Sequence, residues 1–302
     1  MNIYNYYDKT IITSLFLVLL SLFLFSLTNS TNVVHAQPSG EVVNFPDRQF
    51  EIAVREQIGK MSGTIDSSEL MFINDLRIES RGIRDLTGIQ YFPNLDYLSA
   101  SNNNIQDLTP LSGHPSLRNA NLGDNLISDL TPLSTLPNLE YLYLWNNRIT
   151  DISPLRNTQI RNLYISNNML NDLTPVVDMP RLVDLSIASN PSINNVDMLK
   201  PLANSRIEYL DLDDLRINSL GPILEMITLK RLDIEDTQIT DIAGIDKITG
   251  LENLNVSNLR LRDYSPIKNL PFWISFQFII FNLISNPNIL YTYLMCIQYM
   301  VV

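Results

Sequence analysis

The chain has 302 residues, a formal net charge of −11 and a single cysteine, Cys296, so no disulfide within the chain can staple its fold. The acidic balance argues against nucleic acid or anionic lipid as the partner of the whole surface, and favours solubility and a basic partner if any. Of the two histidines His35 lies near the start of the chain and His114 beside Pro115, while the cysteine lies in the tail, so neither a Cys-His pair nor a zinc cluster is expected, which leaves paired carboxylates as the one catalytic resource.

The first element is an apolar run from Ile11 to Leu27, interrupted only by Thr13, Ser14, Ser21 and Ser26 and preceded by Lys9. It is followed by a polar stretch ending Val34-His35-Ala36, which predicts a signal peptide over residues 1–36 with cleavage after Ala36. An uncleaved membrane anchor is the alternative that the length allows, and under either reading the rest of the chain faces outward. A linker and helical cap are expected over residues 37–72. Pro46 to Ile58 places Phe50, Ala53, Val54 and Ile58 at helical spacing, with Gly59 to end the helix. A second short helix follows, where Asp66 and Glu69 have capping-box spacing ahead of Leu70, Phe72 and Ile73.

From residue 73 to 270 the text repeats. Leu95, Leu117 and Leu139 open three near-copies at an offset of 22 residues, and the apolar spacing within each is that of a leucine-rich repeat. In Leu139 to Trp145 the alternation has period two, so Leu142 and Leu144 point into a core while Tyr141, Tyr143 and Trp145 point out. Asn147 falls where the chain must turn, in a column with Asn103 and Asn125 whose amides can satisfy backbone groups that no ladder reaches. The return limb Asp151 to Leu155 pairs a capping residue with a proline, predicting a 3₁₀ or irregular convex limb. Nine repeats start at Ile73, Leu95, Leu117, Leu139, Ile160, Leu182, Ile207, Leu229 and Leu251. The extra residues before Ile207 are expected in a bulged loop at Asn190 to Asn195. The asparagine column continues through Asn168 and Asn190 and then gives way to Leu215, Thr237 and Leu259, so the last turns must pack differently. The fold class is therefore an α/β solenoid, a horseshoe with a parallel sheet on its concave face and a helical N-terminal cap.

Asn44-Phe45-Pro46-Asp47, the run Val54 to Lys60, Gly82 to Ile89, and Asp-Leu-Thr-Pro-Leu at 107–111 and 129–133 together resemble the cap and repeats of the internalin family, over roughly residues 43–270. The resemblance implies a curved repeat domain on a bacterial cell surface that binds another protein through its concave face. It implies neither an enzyme nor a cofactor, and it carries over no particular target. The absence of cysteine-rich caps also suits a bacterial protein, secreted or at the cell surface.

On the concave face, Tyr97, Tyr141, Tyr143, Trp145 and Tyr164 are expected to form one aromatic patch, since neighbouring strands lie about 4.8 Å apart. Such a patch either stabilises a thin sheet or serves as a binding hot spot. Farther along, Tyr209, Asp211, Asp213 and Asp214 precede Arg231, Asp233, Glu235 and Asp236 by one repeat, so Asp211 faces Asp233 and Asp213 faces Glu235. At about 5 Å each pair repels by roughly 0.8 kcal/mol in water and about 3 kcal/mol at an effective dielectric near 20, which Arg231 and Lys230 offset only in part. Either these side chains splay into solvent, or they are held for a basic patch on a partner; bound calcium is a lesser variant. No catalytic or metal-binding residue is predicted, although rows of carboxylates leave a hydrolase as a remote alternative. A structural surface protein without a specific ligand is the other alternative.

From Asn269 to Val302 no residue is charged. Trp273, Phe276, Phe278 and Leu283 still fall on repeat positions, so residues 271–302 read as one more, degenerate repeat, as an aberrant C-terminus, or as a membrane segment that Pro287 would split.

Overall fold

The helical cap is organised by one carboxylate. In the computed structural model, which describes residues 40–263, 265, 266 and 270 and the backbone of Ser275–Gln277, Asp47 has extended backbone angles and accepts from the Gln49 and Phe50 amides at 2.8 and 3.1 Å. Helix α1 therefore runs Arg48–Ile58, two residues later than the sequence pattern alone places its start, because Pro46 and Asp47 form the approach and the cap. Gly59, at φ 70°, ends it, and Phe50, Ala53 and Val54 are buried. The other oxygen of Asp47 accepts from Arg84 and Asp85 at 2.7 and 3.2 Å and so ties α1 to the first repeat. Strand β1 (Val42–Val43) pairs antiparallel with β2 (Ile65–Asp66), and α2 (Ser67–Leu70) begins with the expected capping box of Asp66 and Glu69. The predicted signal peptide and its cleavage site lie outside the described residues.

Each repeat contributes one three-residue strand: β3 (Asp75–Arg77), β4 (Tyr97–Ser99), β5 (Asn119–Asn121), β6 (Tyr141–Tyr143), β7 (Asn162–Tyr164), β8 (Asp184–Ser186), β9 (Tyr209–Asp211), β10 (Arg231–Asp233) and β11 (Asn253–Asn255). With β12 (Ser275–Gln277) they form a ten-stranded parallel sheet in chain order. The backbone of β12 pairs Phe276 with Leu254, so the repeat register continues past the last charged residue. Residues 271–274 and 278–302, where the other readings of the tail fall, lie outside the described residues.

The central residue of each strand from β3 to β11 is a leucine or alanine turned inward and buried, as period two requires. The return limbs are 3₁₀ turns such as Thr109–Leu111, Thr131–Thr135 and Ser153–Leu155, each with proline at its start. Asp107, Asp129 and Asp151 accept from the amide two residues on, at 2.8, 2.8 and 2.7 Å, closing the turn just ahead of the helix. The surplus of the 25-residue repeat does not sit wholly in a loop at Asn190 to Asn195. Part of it lengthens the convex limb into the seven-residue 3₁₀ helix Val196–Leu202, capped by Asn195, which buries Leu199 and Leu202. A helical turn can hide apolar side chains where a bulged loop would leave them wet.

The asparagine column satisfies the core's edge. Asn147 donates to the carbonyls of Leu122, Leu144 and Trp145 at 3.0, 3.0 and 3.2 Å and accepts from the Ile127 amide at 2.9 Å. Asn103, Asn125, Asn168 and Asn190 repeat the pattern one layer apart. Beyond them Leu215 and Leu259 are buried and fold their own amides back to Leu212 and Val256, while the Thr237 hydroxyl donates to Ile234.

Candidate functional site

A second column runs beside the asparagines on the concave rim. Ser80, Asn102, Asp124, Asn146, Asn167, Ser189, Asp214, Asp236 and Asn258 all adopt φ between 51° and 59°, the left-handed region that Asn and Asp tolerate best after glycine. Their side chains link layer to layer, for instance Asn102 to Ser80 at 2.8 Å and Asn146 to Asp124 at 2.6 Å. The sequence reading passed over this column. Its only local signal is a short polar residue, which at five of the nine positions directly precedes an asparagine of the buried column.

These turns set the direction of the outward side chains. Tyr143 stacks on Tyr164 across β6 and β7 with centroids 5.0 Å apart and planes at 6°, and Trp145 meets Tyr143 edge-on at 5.7 Å and 76°. The indole lies on Gly123, one layer back: a methyl group there would fall 2.3 Å from the ring. Its N–H donates to Asp124 at 3.1 Å. Trp145 is thus fixed in place, held on one face by backbone and at its edge by a carboxylate.

The predicted five-ring patch is a cluster of three with two outliers. Tyr141 pairs in register with Asn119, which in turn pairs with Tyr97, so an amide separates these two tyrosines. Tyr97 instead lies under the Arg77 guanidinium at 4.8 Å, and Arg77 is paired with Asp75 at 2.9 Å. The Asn119 amide oxygen is buried without a hydrogen-bond partner.

The acidic end is arranged differently from either expectation. Asp211 does stand opposite Asp233 across β9 and β10, yet the side chains do not splay into solvent. Asp233 is buried and shared between Arg231, at 2.9 Å, and the Tyr209 hydroxyl, which donates to it at 3.0 Å, while Arg231 also stacks on the Tyr209 ring at 4.5 Å. Ser186 donates to Asp211 at 2.6 Å, and the Glu235 amide donates to Asp213 at 2.6 Å. Glu235 in turn accepts from Asn255 at 3.0 Å. Lys230 takes no part, being paired with Glu208 at 2.6 Å.

Burial, reinforced by neighbouring carboxylates, pushes the pKa of Asp213 up to about 7 and raises that of Asp211. Burial likewise raises the Tyr209 phenol, so it remains a donor. The repulsion is therefore relieved by the Arg231–Tyr209 clasp and by proton uptake. Among the described residues no three His, Cys, Asp or Glu side chains are grouped so as to hold a metal ion.

His114 is buried in the column of Phe92 and Leu136, where burial holds its pKa below the ordinary value against a smaller contribution from the Phe92 backbone.

Residues 115–157 match the family model described as Leucine Rich repeats (2 copies). Among solved structures, an internalin from Listeria monocytogenes (inlF) is 27% identical with a TM-score of 0.63, the match covering 78% of this chain and 76% of that one. Internalin C2 of the same organism is 24% identical with a TM-score of 0.58, over 78% of this chain and 94% of that one. A plant peptide hormone receptor in complex with RGF2 shares the fold, at 18% identity and a TM-score of 0.52, over 71% of this chain and 37% of that one. No curated protein matches the chain.

Proposed function

We propose, from the premise that this chain is an internalin-like leucine-rich repeat protein, that it is an exported bacterial protein that binds another protein through its concave face. In this reading residues 1–36 direct export, residues 37–72 close the solenoid and residues 73–270 form the binding repeats. Tyr143, Trp145 and Tyr164 are the anchor, while Tyr97 and Tyr141 border it. Asp211, Asp213 and Glu235 meet a basic patch on the partner and set its orientation, while the buried Asp233, clasped by Arg231 and Tyr209, positions them. No catalytic step is assigned to the chain.

The observation that carries the reading is the fixed indole of Trp145 against the Tyr143–Tyr164 stack. Large side chains held rigid before binding lose little entropy on contact, which is why Tyr and Trp dominate hot spots. Replacing Tyr143 and Trp145 together by alanine should leave the fold intact and weaken ligand capture by about 2 kcal/mol or more. The check is quantitative capture by the immobilised protein, wild type against the double variant; equal affinity for a captured protein ligand would sink the proposal.

A further inference from the structure

The outward positions of four neighbouring strands hold no charged residue, although Asp96, Arg118, Glu140 and Arg161 stand just before those strands and Asp124 at the rim holds the Trp145 indole. The twelve outward positions of the repeats containing β4 to β7, from Tyr97 through Ser166, hold four tyrosines, one tryptophan, three asparagines, three serines and one glycine. Charge returns on the strands to either side, with Asp75 and Arg77 on β3 and Asp184 on β8. In a chain of net charge −11 the strip is set apart by composition as well as by place.

That composition selects a ligand chemistry. The cores of protein interfaces enrich arginine and methionine beside aromatics, and neither residue, nor any aliphatic side chain, occurs at these twelve positions. What the strip offers is aromatic surface together with amides and hydroxyls that both donate and accept without a formal charge. A sugar ring presents the matching set: an apolar C–H face to lie on an aromatic ring, and hydroxyls around its edge that need partners but no counter-ion.

One detail supports the match. Trp145 has one indole face on Gly123 and its N–H tied to Asp124, so its remaining exposed surface is an aromatic platform that cannot turn away. The strip spans about 14 Å across its four strands, the reach of a short oligosaccharide.

We propose that the strip from β4 to β7 binds a neutral glycan chain carried by the partner protein. This rests on the concave-face reading and names the chemistry that the aromatic anchor meets; the acidic end remains in contact with polypeptide.

The test applies the full chain to immobilised neutral oligosaccharides of glucose, galactose, mannose and N-acetylglucosamine, one to six residues long, alongside sialylated counterparts. Retention of at least one neutral oligosaccharide is expected, rising with length to about three or four residues as the strands are filled. Trp145→Ala should weaken it about tenfold with melting temperature unchanged. The inference is overturned if no neutral oligosaccharide is retained above the level of the Trp145→Ala variant, or if sialylated chains bind as well as neutral ones. Should the wild type capture a protein ligand equally well after enzymatic removal of that ligand's sugars, the glycan inference fails while the concave-face reading stands. If neither glycan nor protein is bound, both fail.

Discussion

Asp213 carries the most displaced carboxyl group on the concave face, and the direction of its shift fixes a pH dependence. Its pKa stands at about 7 in the folded chain against an ordinary 3.8, the causes being burial first and then Asp211. Between pH 4 and 7 the unfolded chain has lost this proton while the folded chain keeps it, so stability falls as pH rises through that window and is lowest above it. Asp211 acts in the same direction. His114 acts in the opposite one: its folded pKa lies below 6.5, so the unfolded chain is protonated first and acidification below that pH is destabilising. Asp213→Asn keeps an oxygen for the Glu235 amide and removes the titration. Urea unfolding at pH 5 and pH 8 should find the variant about 1–2 kcal/mol more stable than wild type at pH 8, an amount discounted for partial exposure, with the difference shrinking at pH 5. The opposition of Asp211 and Asp233 was legible from the repeat register. The clasp that relieves it was not, because Tyr209, Arg231 and Asp233 meet only through side-chain conformations that spacing does not specify.

The turn after each strand shows what one side chain contributes to an element. Asn147 satisfies three carbonyls and one amide that the sheet leaves unpaired. Asn147→Ala would strand these groups in the core; with some replaced by water, a loss of about 2–4 kcal/mol is expected in chemical denaturation. The same change at Thr237, where only one hydroxyl bond to Ile234 is at stake, should cost about 1 kcal/mol. Equal losses at the two positions would mean that the column is not what holds these turns. The column itself could be read from periodicity because its spacing is constant. The left-handed residues beside it could not be, because Ser, Asn and Asp are common on any exposed turn, and only the backbone angle distinguishes a required one.

For the molecule as a whole, stability passes from layer to layer, since each repeat touches only its neighbours. The N-terminal cap is then the anchor of one end, and Asp47 joins it to the array with four backbone hydrogen bonds. Burial works against ionisation of Asp47, but those four amides outweigh it and hold the pKa below the ordinary value. Asp47→Ala removes the helix cap and the tie together, at a cost of about 1–3 kcal/mol. Amide exchange should report the loss unevenly: protection in β3 and β4 falls, while that in β10 keeps its wild-type value. A uniform loss along the sheet would show that the array unfolds as one cooperative unit.

The solenoid, its register, the inward leucines, the asparagine column and the two cap helices were all determined by the sequence alone. Each rests on a period or a capping pattern, and a repeated local pattern has one geometry that buries it. What only the tertiary structure decided is how side chains from different repeats meet: the three-ring cluster with Tyr97 drawn off to Arg77, the indole of Trp145 laid on Gly123, and the clasp of Arg231 and Tyr209 around Asp233. The physical reason is that backbone periodicity specifies which face a side chain leaves from. Its conformation, and hence its partner, is chosen by neighbours one layer away, about 4.8 Å across the sheet but some 22 residues along the chain.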